Sequence, residues 1–223
     1  MSNLYDAMSL NVAEEIARQL KLKPNSLFGM PTGKSPVGVY QILSNLSQEG
    51  LLDWSKAHCF ALDDYLNVEE KHSFHHFLEE NLYKNTNLPQ SHKHSPIYQD
   101  DYDRLIRELG GLDLCVLGLG TNGHIAFNEP GTPASSWTHC HFLTESTKEA
   151  NAPAFGGSDK VPTTAITIGI ETILESKAII LIASGERKKN VLEKALSGQI
   201  TPEIPASYLA LHPHVRVFRD FEK

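Results

Sequence analysis

Cysteine is scarce in this chain. Its 223 residues hold three, Cys59, Cys115 and Cys140. The first two sit inside apolar runs and read as small buried hydrophobes, and no metal-ligand spacing connects the set. Cys140 stands between His139 and His141, but neighbours along a strand point to opposite faces, so the trio makes a poor metal site. Long hydrophobic runs are missing too, so no membrane span is expected. The stretch from Met1 to Leu10 carries Asp6 and lacks the basic start and apolar middle of a secretory signal. A cytoplasmic location and no membrane partner follow as expectations. Positive charge is in short supply: 20 Lys and Arg stand against 27 Asp and Glu, a net charge of −7. That balance disfavours nucleic acid as a partner. It leaves room for an anionic small substrate, because a few local cations and backbone amides suffice to bind a phosphate. Internal repeats, low-complexity tracts and Pro/Gly/Ser-rich linkers are absent, which suits one domain over residues 1–223.

What is present is an apolar share of 40%, enough for a sizeable core. Met8, Val12, Ile16 and Leu20 recur every fourth residue and read as one face of a helix. Apolar runs at 26–30, 57–62, 112–117, 165–168, 178–182 and 215–218 read as strands, the later ones β-branched and buried. Helical patterns lie between them at about 37–46, 73–83, 102–109 and 185–196. Strand and helix alternate, so the expected class is α/β: three layers, doubly wound, around a mostly parallel sheet. Residues 131–162, rich in Ser, Thr, Pro and Gly, form the least regular stretch and read as a lid.

Four segments carry the polar groups, each at an expected strand end, where parallel α/β sheets bind their ligands. The most informative runs from Gly118 to Pro130. It places Asn122, His124 and Glu129 on a glycine-rich turn, and an imidazole oriented by a carboxylate is an acid–base pair. A satisfied loop histidine is the plainer alternative. In Pro31-Thr32-Gly33-Lys34-Ser35-Pro36, two hydroxyls, a glycine and a lysine precede a helix whose N-terminus favours an anion. The spacing is not that of a Walker A loop. The same residues also suit a plain β–α turn with a Ser cap and Pro at the first helical position. In Leu62-Asp63-Asp64-Tyr65, adjacent carboxylates diverge, leaving one free to face a ligand and to act as a base if its pKa is raised, while the other caps a turn. Gly185-Glu186-Arg187-Lys188-Lys189 offers one cation to a phosphate, or a solvated basic face. His72 and His76, four apart on a helix with His75 between them, form a possible metal pair with no third ligand in view.

Together these segments resemble the glucosamine-6-phosphate deaminase (isomerase) family, over nearly the whole chain. Gly123-His124-Ile125-Ala126-Phe127-Asn128-Glu129-Pro130 is the most specific match; the related 6-phosphogluconolactonases share the glycine turn and histidine but continue differently. The resemblance implies a Rossmann-like fold of the sugar-phosphate isomerase type. It also implies deamination of glucosamine 6-phosphate with aldose–ketose isomerisation, without metal or redox cofactor. By position, Asp63 matches the base at C2, His124 the group that opens the sugar ring, and Asn122 and Glu129 the residues that orient it. Thr32, Gly33 and Ser35 match the phosphate loop and Lys188 its lysine. Many members have a lid arginine after an Asn-Ser or Asn-Ala pair; here Asn151-Ala152 is followed by Pro153. Lys34 stands where many have glycine, and is expected to restore part of that charge. Galactosamine-6-phosphate isomerases resemble the chain as well, and share Gly111 to Gly118. A lactonase-like hydrolase and a non-catalytic sugar-phosphate sensor are the further alternatives. The expected partner is an amino-sugar phosphate, and the expected state a monomer or small homo-oligomer.

Overall fold

The computed structural model describes residues 3–222; Met1, Ser2 and Lys223, and the readings that touch them, lie outside it. Helix α1 (Asn3–Leu22) bears out the fourfold apolar stripe, since Met8, Val12, Ile16 and Leu20 are all buried. Then follow β1 (Leu27–Met30), α2 (Val37–Gln48), β2 (His58–Ala61), β3 (Asp63–Tyr65), α3 (Phe74–Asn81), β4 (Lys93–His94), α4 (Tyr102–Glu108) and β5 (Leu114–Gly118). The second half holds β6 (His139–Phe142), α5 (Glu145–Phe155), β7 (Thr164–Thr167), α6 (Ile170–Leu174), β8 (Ile179–Ala183), α7 (Lys189–Ala195) and β9 (Val215–Arg219).

Among the described residues, six strands form one sheet in the order β4-β2-β1-β5-β8-β9, all parallel. Alternate residues of these strands serve two cores. Phe28, Met30, Cys59, Ala61, Leu114, Val116, Ile180 and Ile182 pack with α1, α2 and α3. Leu27, Phe60, Cys115, Leu117, Ile179 and Leu181 pack on the other side with α4, α6 and α7. The result is the expected three-layer, doubly wound α/β fold. Strand order reverses between β1 and β5, so a crevice opens beyond their carboxyl ends.

Two expectations are corrected. Asp63-Asp64-Tyr65 does follow the end of β2, but it is itself strand β3 of a second sheet, ordered β3-β7-β6 and antiparallel, and not a turn. Residues 165–168 accordingly lie in or beside an antiparallel strand, β7, and not in the main sheet. A short run of this kind reads alike in either setting, and only distant partners decide direction. The stretch 131–162 is also more regular than its composition suggests. It holds β6, whose exposed Cys140 and Phe142 hide the usual inside–outside signal, and α5, which tolerates Pro153 near its end and closes on Gly156 in the left-handed region (φ 75°).

The outer edge of the main sheet carries a histidine stack. His58 and His92 rings lie 3.9 Å apart, and His58 Nδ1 is 3.0 Å from His94 Nε2. Burial, then the neighbouring His58 and His92, push His94 down to about 4, and burial followed by His92 lowers His58. The unfolded chain takes up these protons nearer the ordinary value of 6.5. The contribution to stability is therefore whole above that value and is lost as pH falls toward about 4. Urea midpoints measured across this window should fall, and fall less in His94→Phe; parallel curves for the two proteins would contradict the assignment.

Candidate active site

The loop after β1 is shaped from three sides. Gly33 takes φ 90°, where a side chain is strained. The Tyr5 hydroxyl accepts from Gly38 N–H at 2.9 Å and lies 3.3 Å from the carbonyls of Lys34 and Ser35. The Tyr40 hydroxyl donates to the Pro31 carbonyl. Gly38 is required where α1 crosses α2, since a Cβ there would meet Ser9 Oγ at 2.6 Å. Pro36, not Ser35, occupies the N-cap of α2 and no side chain caps it. The expected Ser cap is therefore absent, and the Ser35 hydroxyl instead lies 3.5 Å from Lys188 Nζ. Lys188 is half-buried and burial lowers its pKa, with Asp220 opposing. Asp220 also accepts from Ser184 Oγ and Gly185 N–H at 2.6 and 2.7 Å, which fixes the turn after β8. Lys34 and Arg187 are exposed. Tyr5, Tyr40 and Asp220 were missed by sequence reasoning, since nothing local to them marks a contact 29 or more residues away in two of the three cases.

The two aspartates after β2 divide as anticipated. Asp64 accepts from the amides of Tyr65, Phe74 and His75 at 2.8–3.1 Å and caps the start of α3. Asp63 is buried (6% exposed), and burial, followed by the Asp64 charge, pushes its carboxyl well above the usual carboxylate range. Register places Asp63 opposite Thr167. Thr167 Oγ1 in turn accepts from Phe127 N–H at 3.1 Å, and Asn128 Nδ2 donates to the Ile168 carbonyl at 2.8 Å. Strand β7 thus joins Asp63 to the segment that carries His124.

In that segment Gly123 takes φ 91°, and Gly120 lies under the His124 ring: a Cβ at Gly120 would come within 2.4 Å of its Cε1 and Nε2. Asn122 Nδ2 donates to Glu129 Oε2 at 2.7 Å, while Asn122 Oδ1 accepts from His124 N–H at 3.2 Å. His124 Nδ1 is 3.6 Å from the same Glu129 oxygen. Glu129 is fully buried. Burial alone would raise its carboxyl, but His124, followed by hydrogen-bond donors that include Asn122, outweighs it and holds it at about 2. An imidazole backed by a permanently ionised carboxylate is equipped to take and return a proton on its outer nitrogen.

All four segments therefore sit beyond the carboxyl ends of four adjacent strands, β2, β1, β5 and β8, around the reversal of strand order. The histidines near α3 are not drawn in as a metal pair: His72 stacks on Phe155 at 4.6 Å and His75 meets Tyr98 edge-on. A separate hollow of about 460 Å³, lined by Arg18, Leu22, Pro213 and Arg216, opens between α1 and β9 at the opposite, amino end of the sheet.

A family model described as glucosamine-6-phosphate isomerases/6-phosphogluconolactonase matches residues 1–217. The chain belongs to this family. It is 43% identical to a glucosamine-6-phosphate deaminase of Lachnoclostridium phytofermentans, over 98% of this chain and 97% of that one. It superposes on a solved monomeric glucosamine-6-phosphate deaminase with a TM-score of 0.92 at 37% identity, covering 96% of this chain and 93% of the other. A 6-phosphogluconolactonase of Thermotoga maritima shares the fold at a TM-score of 0.72 and 21% identity, over 98% and 95% of the two chains.

Because the Gly120 contact is with a ring that can swing aside, Gly120→Ala should leave the melting temperature within about 2 °C of the native value yet turn His124 away from Glu129. A crystal structure of the variant with the ring unmoved would contradict this.

Proposed function

We propose that this protein is a glucosamine-6-phosphate deaminase, converting glucosamine 6-phosphate and water to fructose 6-phosphate and ammonia. The observation that supports it most is that a buried carboxyl, Asp63, the Asn122–Glu129–His124 set and the Ser35–Lys188 corner all lie beyond the carboxyl ends of neighbouring strands, in a chain 43% identical to a deaminase. The lactonase reading draws on likeness at half that identity.

The phosphate is held by Thr32, Gly33 and Ser35 together with Lys188, and Lys34 adds a long-range charge from the exposed side of the loop. Remote binding of this kind fixes the reacting carbons and contributes to the chemical step. His124 moves the proton between the ring oxygen and O1 that opens the pyranose. The C1 aldehyde then acidifies C2, and Asp63 takes the C2 proton and returns it to C1. The resulting imine at C2 adds water, and its C–N bond breaks to leave the ketone and ammonia. Glu129 and Asn122 keep the imidazole oriented and its cation stabilised through the opening step. Residues 131–162, with α5, act as the lid over this crevice. The protein works in the cytoplasm as a monomer or small homo-oligomer; no described helix is long and apolar enough to cross a membrane.

Ammonia release from glucosamine 6-phosphate, measured beside galactosamine 6-phosphate, tests the reading; a lactonase or a sensor releases none. Asp63 must be ionised to act, and its pKa is raised. The acid limb of kcat/KM should therefore lie above the ordinary carboxylate value of about 4, and a profile flat down to pH 4 would remove Asp63 from the role. Asp63→Asn should cut kcat by at least about 100-fold. It should also raise the melting temperature at pH 7.5, because the folded state holds the Asp63 proton more tightly than the unfolded chain and is disfavoured as pH rises. Lys188→Ala should raise KM by about tenfold or more, and Lys34→Ala by less; an unchanged KM in Lys34→Ala would show that this lysine contributes nothing to phosphate binding.

A further inference from the structure

Helix α5 begins beside the acid–base set. Asn122 Nδ2, whose first proton goes to Glu129, lies 3.4 Å from Ser146 Oγ. Ser146 and Thr147 both hydrogen bond to Thr144, the N-cap of the helix: Thr144 Oγ1 lies 3.0 Å from Ser146 Oγ and donates to Thr147 Oγ1 at 3.2 Å. A hydroxyl carries one proton and two lone pairs. Since Thr147 Oγ1 already accepts from Thr144, its own proton remains to be given. Thr147 is only 2% exposed, so water is a poor recipient. Across from it, Glu129 Oε1 is buried without a bonded partner, as is His124 Nδ1, while Glu129 Oε2 is taken by Asn122. Buried polar atoms of native folds are nearly always matched. One unassigned buried donor and one unassigned buried carboxylate oxygen therefore belong together.

We propose that Thr147, seconded by Ser146, is a positioning residue: from the first turn of α5 its hydroxyl donates to Glu129 Oε1 and sets the carboxylate against His124 Nδ1. This rests on the function proposed above and deepens it. The helix that covers the crevice also completes the hydrogen-bond shell of the imidazole's partner. His124 is fully oriented only when α5 is seated. Asn122 reads the same helix through Ser146, so both members of the pair behind the imidazole are tied to one turn. Thr147 touches no substrate, and its effect falls on the proton-transfer step and not on phosphate binding.

Thr147→Val removes the hydroxyl at nearly constant shape, and Thr147→Ser keeps it. The valine variant should lose roughly tenfold or more in kcat, the scale of a hydrogen bond to a charged group, with KM for the amino-sugar phosphate within about twofold. The serine variant should recover kcat to within about threefold of native. Native kcat in Thr147→Val, or equal losses in both variants, would overturn the proposal, the second by making the methyl group the cause. If the valine chain does not fold, Thr147→Ala is read in the same way. In sugar-free protein, the ¹⁵N resonances of the His124 ring should shift in Thr147→Val and not in Thr147→Ser. That comparison needs no turnover, so it stands even if the native protein releases no ammonia, an outcome that would sink the function and not the contact.

Discussion

Two neighbouring carboxylates cannot both be buried and ionised without compensation, and the structure offers hydrogen-bond donors to one of them far more than to the other. Asp64 receives three backbone amides at the start of α3, which offset part of the rise that burial gives its carboxyl. Asp63 is buried beside that charge, so each device that settles Asp64 leaves Asp63 more exposed to its repulsion. The asymmetry turns a repeated residue into a capping group and one whose carboxyl is pushed well up. It works only because β3 leaves the main sheet and pairs with β7, which holds the two side chains on opposite faces. Were the pair in a turn, both would find water and neither pKa would move far.

The small antiparallel sheet is therefore the part of the fold that makes the site, while the parallel sheet supplies its position. Ile168 N–H donates to the Leu62 carbonyl at 2.8 Å, so β7 is spliced to the chain just as it leaves β2. From there Thr167 and Ile168 take Phe127 and Asn128. Beneath α5, Tyr65, Phe74 and Phe127 pack together, and the Phe155 ring closes on Tyr65 at 5.2 Å. Strand pairing anchors one side of this segment and aromatic packing the other.

Much of this was legible in the chain. The fourfold stripe of α1, the buried strands of the main sheet and the polar segments at their ends follow from periodicity and from the rule that α/β sheets carry ligands at their carboxyl edge. The split of Asp63 from Asp64 follows from strand geometry. What was not legible depends on pairing across long separations. The direction of β7 is set by Asp63 and His139, and β6 shows no apolar alternation because its outward residues include Phe142. Tyr5 gave no sign of its grip on the loop after β1, because a tyrosine on a helix face reads as packing until a partner some 30 residues on is in place. Ser35 looked like a helix cap because its local sequence satisfies the capping rule, yet Pro36 took the position and freed the hydroxyl.

Unmatched buried polar atoms are few and scattered through the fold. Most of this interior is satisfied, as in Asp113, which takes Lys23, Lys177 and the Leu27 amide at the far end of the sheet. His124 Nδ1, Asn128 Oδ1 and the Tyr65 hydroxyl are buried without a hydrogen-bond partner, and so, elsewhere in the fold, are the hydroxyls of Ser9, Tyr83, Ser95 and Ser176. Each such atom weakens the folded state. A net charge of −7 does not bar an acidic chain from attracting an anion to the loop after β1, because Lys188 is partly desolvated, lies close to Ser35, and acts at a range where distant charge is screened.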